Sequence, residues 1–151
     1  MIVPSVVDDD SSLPRYALPG DAGADLRCRE HVILRPGERR LVPTGVRAAI
    51  PDGHVGFVNP RSGLAIRTGL SIVNAPGTID SGYRGEIKVA LVNLDQHEPI
   101  ELQVGDRVAQ LVIVPFVHAQ FVRVDELDDT ERGQGGHGSV SYTHLTLPTT
   151  P

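Results

Sequence analysis

Three short stretches carry residues whose types and spacing suit chemistry on a phosphorylated ligand. In Pro60-Arg61-Ser62-Gly63-Leu64-Ala65 an arginine, a hydroxyl and a glycine follow one another where a strand gives way to a short helix. A guanidinium presents a planar fork matched to phosphate oxygens, and the free N–H groups at a helix start favour anions. Gly63 lets a ligand approach the backbone closely. The same residues also suit an N-capped turn with a surface arginine. The second stretch runs from Asn74 to Glu86 (NAPGTIDSGYRGE), where a proline and three glycines indicate an ordered hairpin-like loop. Asn74 offers an amide donor and a carbonyl acceptor, a pair that suits the edge of a base or lactam. Asp80 can act as a general base, and Tyr83 can form a flat apolar wall with a polar tip. Equally, Asp80 can close an Asx turn and Tyr83 can fill the core. The third stretch, Arg132 to Ser139 (RGQGGHGS), is a Gly-rich loop with a leading arginine. Such loops close over phosphates, and they also occur as tails without fixed structure. His137 stands between glycines, so it is either solvated or packed on a ligand.

The rest of the chain must position these groups. It has 151 residues, enough for one domain with a sizeable core. With 14 Lys+Arg against 19 Asp+Glu, the net charge of -5 disfavours general nucleic-acid binding, which depends on neutralising phosphates. Aromatics make up only 4%, with no Trp, too few for base-stacking platforms. All the basic residues except Lys88 are arginine. The single cysteine, Cys28, reads as a small buried hydrophobe, and no Cys/His spacing suggests zinc. No apolar run approaches a membrane span, and the first residues lack a basic stretch followed by a long apolar one. The expectation is therefore a cytoplasmic protein with no nucleic-acid or membrane partner. The acidic run Asp8–Asp10 reads as a solvated turn in preference to a metal site.

Gly and Pro punctuate short Val/Ile/Leu-rich runs throughout, which predicts an all-β protein. Strands are expected within Ile2–Val7, His31–Leu34, Arg39–Ile50, His54–Asn59, Glu86–Asn93, Arg107–Pro115 and Ala119–Val124. Val32 and Leu34 should face one way and Ile33 the other. Pro43-Thr44-Gly45 should bend the Arg39–Ile50 run. The best helix is short, Ser62–Arg67, with Ser62 as its cap. Strands at this spacing suggest a sandwich or barrel, above all a jelly roll. After Leu127 the chain turns polar and Gly-rich. The final VSYTHLTLPTTP has no charge and no glycine, and resembles a vector-derived or divergent tail. The resulting division is a core domain over residues 1–127, a Gly-rich arm over 128–139 and a tail over 140–151.

Taken together, the motifs are similar to one family. AGADL (Ala22–Leu26), PRSGLA (Pro60–Ala65), NAPGTIDSGYRGEI (Asn74–Ile87), GDRVAQLVI (Gly105–Ile113) and RGQGGHGS (Arg132–Ser139) occur in the order found in the trimeric deoxyuridine triphosphate nucleotidohydrolases. The resemblance covers roughly Tyr16 to Ser139. It implies a homotrimer of jelly-roll-like distorted barrels of the β-clip type. Each site would draw on three subunits and be closed by a mobile C-terminal arm. It implies Mg2+-dependent hydrolysis of dUTP to dUMP and pyrophosphate, which limits uracil incorporation into DNA and supplies dUMP for dTMP synthesis. By resemblance, Asp80 is the base for the water that attacks the α-phosphorus. Asp25 holds the metal through its water shell, without direct protein ligation. Arg61, Ser62, Gly63 and Gln110 hold phosphates and Arg132 holds the γ end. Asn74 with backbone groups of Gly77, Thr78 and Ile79 reads uracil, Tyr83 lies under the sugar, and Lys88, His137 and Ser139 contact nucleotide.

The chain departs from the family at His137, where the family has Phe, and at Ser139-Val140-Ser141, where it commonly has Ser-Thr-Gly. Two other readings are weighed: a dCTP deaminase or bifunctional deaminase–dUTPase on the same jelly roll, and a non-catalytic nucleotide-sensing trimer.

Overall fold

A computed structural model of the protein describes residues 1–136. His137, Ser139 and the tail from Val140 lie outside the described residues. The chain separates into two compact units, Met1–Val117 and His118–Pro151.

The first unit contains eleven strands, one α-helix and one turn of 3-10 helix, and every strand ladder is antiparallel. In chain order the strands are β1 (Ser5–Val7), β2 (Ala24–Arg27), β3 (Val32–Leu34), β4 (Arg39–Pro43), β5 (Val46–Ala48) and β6 (His54–Asn59). After the helix α1 (Ser62–Thr68) come β7 (Leu70–Ile72), β8 (Gly77–Ile79), β9 (Lys88–Asn93), β10 (Ile100–Leu102) and β11 (Arg107–Pro115). They form a four-stranded sheet β2-β11-β6-β8, a three-stranded sheet β4-β9-β7, and the pairs β1-β5 and β10-β3.

Alternation explains how four small sheets share one core. Val32 and Leu34 of β3 are buried while Ile33 is exposed, as the pattern requires. In β9, Val89, Leu91 and Asn93 point inward. Val32, Leu34, Val89 and Leu91 join Leu26, Val42, Val46, Val58, Leu70, Ile72, Ile100, Leu102 and Leu111 in a single cluster. Every sheet thus contributes one face to the same interior, which gives the jelly-roll-like barrel. Cys28 is fully buried there. Burial pushes its thiol above the ordinary range, so it behaves as an apolar core group.

Local chemistry accounts for the turns. Asp9 accepts a hydrogen bond from Ser11 N (2.8 Å) and starts the one-turn 3-10 helix Asp10–Ser12, so the acidic run is a capped turn. The Arg39–Ile50 run breaks at Thr44-Gly45, where the chain leaves β9 as partner and continues with β1. The sequence expectation fails at the start of α1. Arg61, not Ser62, holds the cap position, and no side chain caps the first turn. Gly69, in the left-handed conformation, ends the helix.

Among the described residues of the second unit there is no strand or helix. The strand expected over Ala119–Val124 is not formed: no ladder includes it, and Phe121 and Val122 are exposed. An apolar run makes a strand only when a neighbouring edge satisfies the backbone.

Candidate functional site

Strand register assembles the first group of site residues. The β11–β2 ladder shifts between Arg107 and Ala109, a bulge that buries both Val108 and Ala109. Past the bulge, Gln110 lies opposite Asp25 on one side and opposite Asn59 on the other. Directly opposed residues share a face of the sheet, so Asp25 and Gln110 project together beside the start of α1. Gln110 Nε2 donates to the Pro60 carbonyl (3.0 Å), which holds the entry to the helix. Gly23 makes room for this: a Cβ there would fall 2.8 Å from Gln110 Cδ and closer still to its Oε1.

The Asp25 carboxylate is nearly buried and receives Arg61 Nε at 3.2 Å and Arg107 Nη1 at 3.7 Å. It orients Arg61 while leaving the terminal guanidinium nitrogens without partners among the described residues. Asp25, Arg61 and Gln110, with Ser62, Gly63 and Asp21, line a cleft of about 390 Å³. The first-turn N–H groups of α1 have no side-chain cap, so the cleft offers backbone donors, a hydroxyl and a guanidinium to an anion. Sequence reasoning missed Arg107. It lies within the quoted GDRVAQLVI stretch, but the bulge that brings it to Asp25 leaves no mark in the alternation.

A second cleft of about 300 Å³ shares no lining residue with the first. Thr78, Ile79 and Asp80 reach it from the end of β8, Lys88 from the start of β9, and Leu41 from β4, with Tyr83 and Glu86 on the returning loop. The Asp80 carboxylate is exposed and makes no hydrogen bond or ion pair among the described residues, so it closes no Asx turn. Tyr83 is 43% exposed, which excludes a core role. Its backbone N–H bonds Asp80 O (3.1 Å), and its hydroxyl donates to Glu86 O (2.7 Å). Asn74 is exposed near Gly77, its Nδ2 3.6 Å from where a Gly77 Cβ would stand. Arg132 belongs to the second unit, where its Nε donates to Gly135 O (2.6 Å) and Gly135 N donates back to Arg132 O (3.0 Å).

No group of three or more His, Cys, Asp or Glu among the described residues is placed to hold a metal ion. Asp25 is the one predicted metal-associated carboxylate, and both its oxygens already face arginines in ion pairs. That donor set fits a hard cation that arrives with phosphates and keeps its waters, such as Mg2+, and does not fit an all-protein cage.

The fold and the two clefts define a β-barrel protein that presents an anion-binding recess and, separately, a recess pairing a free carboxylate with an aromatic ring. A family model described as dUTPase matches residues 9–141. The deoxyuridine 5'-triphosphate nucleotidohydrolase of Cutibacterium acnes is 68% identical over 145 residues, covering 96% of this chain and 95% of that protein. The enzyme of the same name from Thermobifida fusca is 61% identical over 134 residues, covering 89% and 75%. Among solved structures, Staphylococcus bacteriophage 80alpha dUTPase with dUPNHPP superposes with a TM-score of 0.83 at 29% identity, covering 91% of this chain and 97% of that one. A mutant dUTPase from phage phi11 of S. aureus, solved to show coordination of a structural Mg(II) ion, gives 0.77 at 27% identity over 85% and 100%. The chain belongs to the dUTPase family.

Proposed function

We infer that the protein is a dUTP diphosphatase that hydrolyses dUTP to dUMP and pyrophosphate. The observation that carries the mechanism is the unpartnered Asp80 carboxylate beside Tyr83. A carboxylate with free lone pairs orients a water and accepts its proton as the water oxygen attacks the α-phosphorus. The bond from that phosphorus to the bridging oxygen breaks in line, and pyrophosphate leaves with the electron pair.

In this reading Arg61, Ser62, Gly63 and Gln110 grip the phosphates through the first cleft. Asn74 and the backbone of Gly77–Ile79 read the uracil edge, Tyr83 supports the deoxyribose and Lys88 contacts nucleotide. Mg2+, when bound, would supply charge neutralisation on the triphosphate, and Asp25 would hold it through its water shell. Arg132 and, beyond the described residues, His137 and Ser139 belong to an arm that closes over the nucleotide.

By its resemblance to the trimeric enzymes, the reading takes the protein as a homotrimer in which neighbouring chains bring an Arg61 cleft to an Asp80 cleft; that the two clefts share no lining residue within one chain supports this. No helix among the described residues is long and apolar enough to cross a membrane; the reaction proposed is that of a cytoplasmic enzyme of the nucleotide pool. Pyrophosphate release from dUTP, dCTP, dTTP and UTP tests the function. Turnover of dUTP alone is expected; turnover of dCTP with ammonia release, or none at all, overturns it.

A further inference from the structure

The loop that carries Tyr83 is tethered in a way that singles out its neighbour. Tyr83 N bonds Asp80 O, and Arg84 Nη1 donates to Ser81 O (2.7 Å) and Tyr83 O (3.1 Å). Glu86 receives Gly45 N on its carboxylate (2.8 Å) and the Tyr83 hydroxyl on its carbonyl (2.7 Å). The phenol is thus anchored at its tip to a residue that is itself pinned to the β4–β5 junction.

Between anchor and ring root lies Gly85. A Cβ at Gly85 would fall 2.6 Å from Tyr83 Cζ and 2.9 Å from Cε1, and closer still to the hydroxyl. All three of the nearest atoms it would meet belong to the Tyr83 ring. Gly85 is not among the glycines with positive φ, so no left-handed φ demands glycine there. Its missing side chain therefore serves the ring and not the chain's conformation.

We propose that Gly85 is a positioning residue for substrate specificity: the bare Cα is the seat that lets the Tyr83 ring lie against the loop, at the height that admits a 2′-deoxyribose and excludes a 2′-hydroxyl. The proposal rests on the reading of Tyr83 as the wall under the sugar. A methyl at position 85 must lift the ring, and a lifted ring sits at the wrong height for the deoxy sugar while its hydroxyl loses the Glu86 carbonyl.

The test is a double-mutant cycle on the full chain, with kcat/KM for dUTP and UTP and thermal unfolding measured on each variant. Gly85→Ala is expected to lower the dUTP/UTP ratio by about tenfold or more, chiefly through a higher KM for dUTP. In the Tyr83→Ala background, where the ring has gone, adding Gly85→Ala should leave the ratio unchanged. If Gly85→Ala alone unfolds, the double variant should recover thermal stability, because the methyl then occupies vacated space. An unchanged ratio in folded Gly85→Ala overturns the proposal, as does an equal further loss in the double variant or a double variant that remains unfolded. If Tyr83→Ala itself leaves the ratio intact, the sugar-wall reading fails, and that outcome is distinct from failure of the Gly85 seat.

Discussion

Two carboxylates of this chain show how differently a residue's surroundings can employ the same group. Asp80 is left without partners at the end of β8, ready for a water. Asp80→Asn keeps the shape and removes the proton acceptor. It should lower kcat by about 10²–10⁴-fold while dUTP binding is largely retained. Stopped pyrophosphate assays beside equilibrium binding of a non-hydrolysable analogue check this, and near wild-type turnover would place the base elsewhere. Asp8, by contrast, is committed. The Ser12 hydroxyl (2.9 Å) and then Arg29 Nε (3.1 Å) hold its carboxyl below the usual range. Since the folded pKa lies below the unfolded one, the stabilisation is whole above the unfolded value and disappears as pH falls through the folded one. Wild type and Asp8→Asn should therefore differ in Tm at neutral pH and converge in acid, as pH falls through the lowered folded-state pKa of Asp8. A gap that persists in acid would show that Asp8 acts by shape and not by charge.

At the scale of elements, the buried side chain of Asn93 binds parts of the fold distant in sequence. At the end of β9 its Nδ2 donates to Leu34 O (3.0 Å) on β3 and to Glu98 O (2.9 Å), and its Oδ1 accepts from Asp95 N (2.8 Å). Asn93→Ala strands three backbone groups and should cost about 3 kcal/mol in urea unfolding; a loss within experimental error would mean that water replaces the amide. A polar residue at an inward position is not what alternation forecasts, and it marks the limit of reading strands by pattern. The longer apolar runs, β6, β9 and β11, were legible because their length exposes the period of two. β3, with three residues, is legible from its Val32-Ile33-Leu34 alternation, whereas β7, β8 and β10, equally short, and the four-residue β2 do not stand out from the turn and motif residues around them. Ala119–Val124 shows the reverse case, an apolar run without a partner. The motifs made Asp25, Arg61 and Gln110 legible as site residues. That they share one cleft follows from a bulge and a register that only the folded ladder displays.

The whole molecule distributes its candidate site over two recesses, and this makes the proposed trimer testable by mixing. Asp80→Asn spoils one recess and Arg61→Ala the other, so each homotrimer should be poorly active. In re-formed mixtures, about a quarter of the sites would pair two intact recesses if neighbouring chains complete each other. Recovery toward that level is expected from equimolar mixing after denaturation and refolding, with light scattering to follow the trimer. No recovery would confine the site to one chain. The sheet order has a further consequence, for synthesis. Three of the early strands wait for a distant partner: β2 for β11, β3 for β10, β4 for β9. A nascent chain leaving the ribosome cannot complete its four-stranded sheet until Arg107 and the residues after it have emerged. Leu26, Val32 and Val42 remain without their cover for most of translation. Pairing that is postponed in this way makes folding a late, collective event on a scale of about milliseconds to seconds, and it makes the half-made chain a natural client for chaperones.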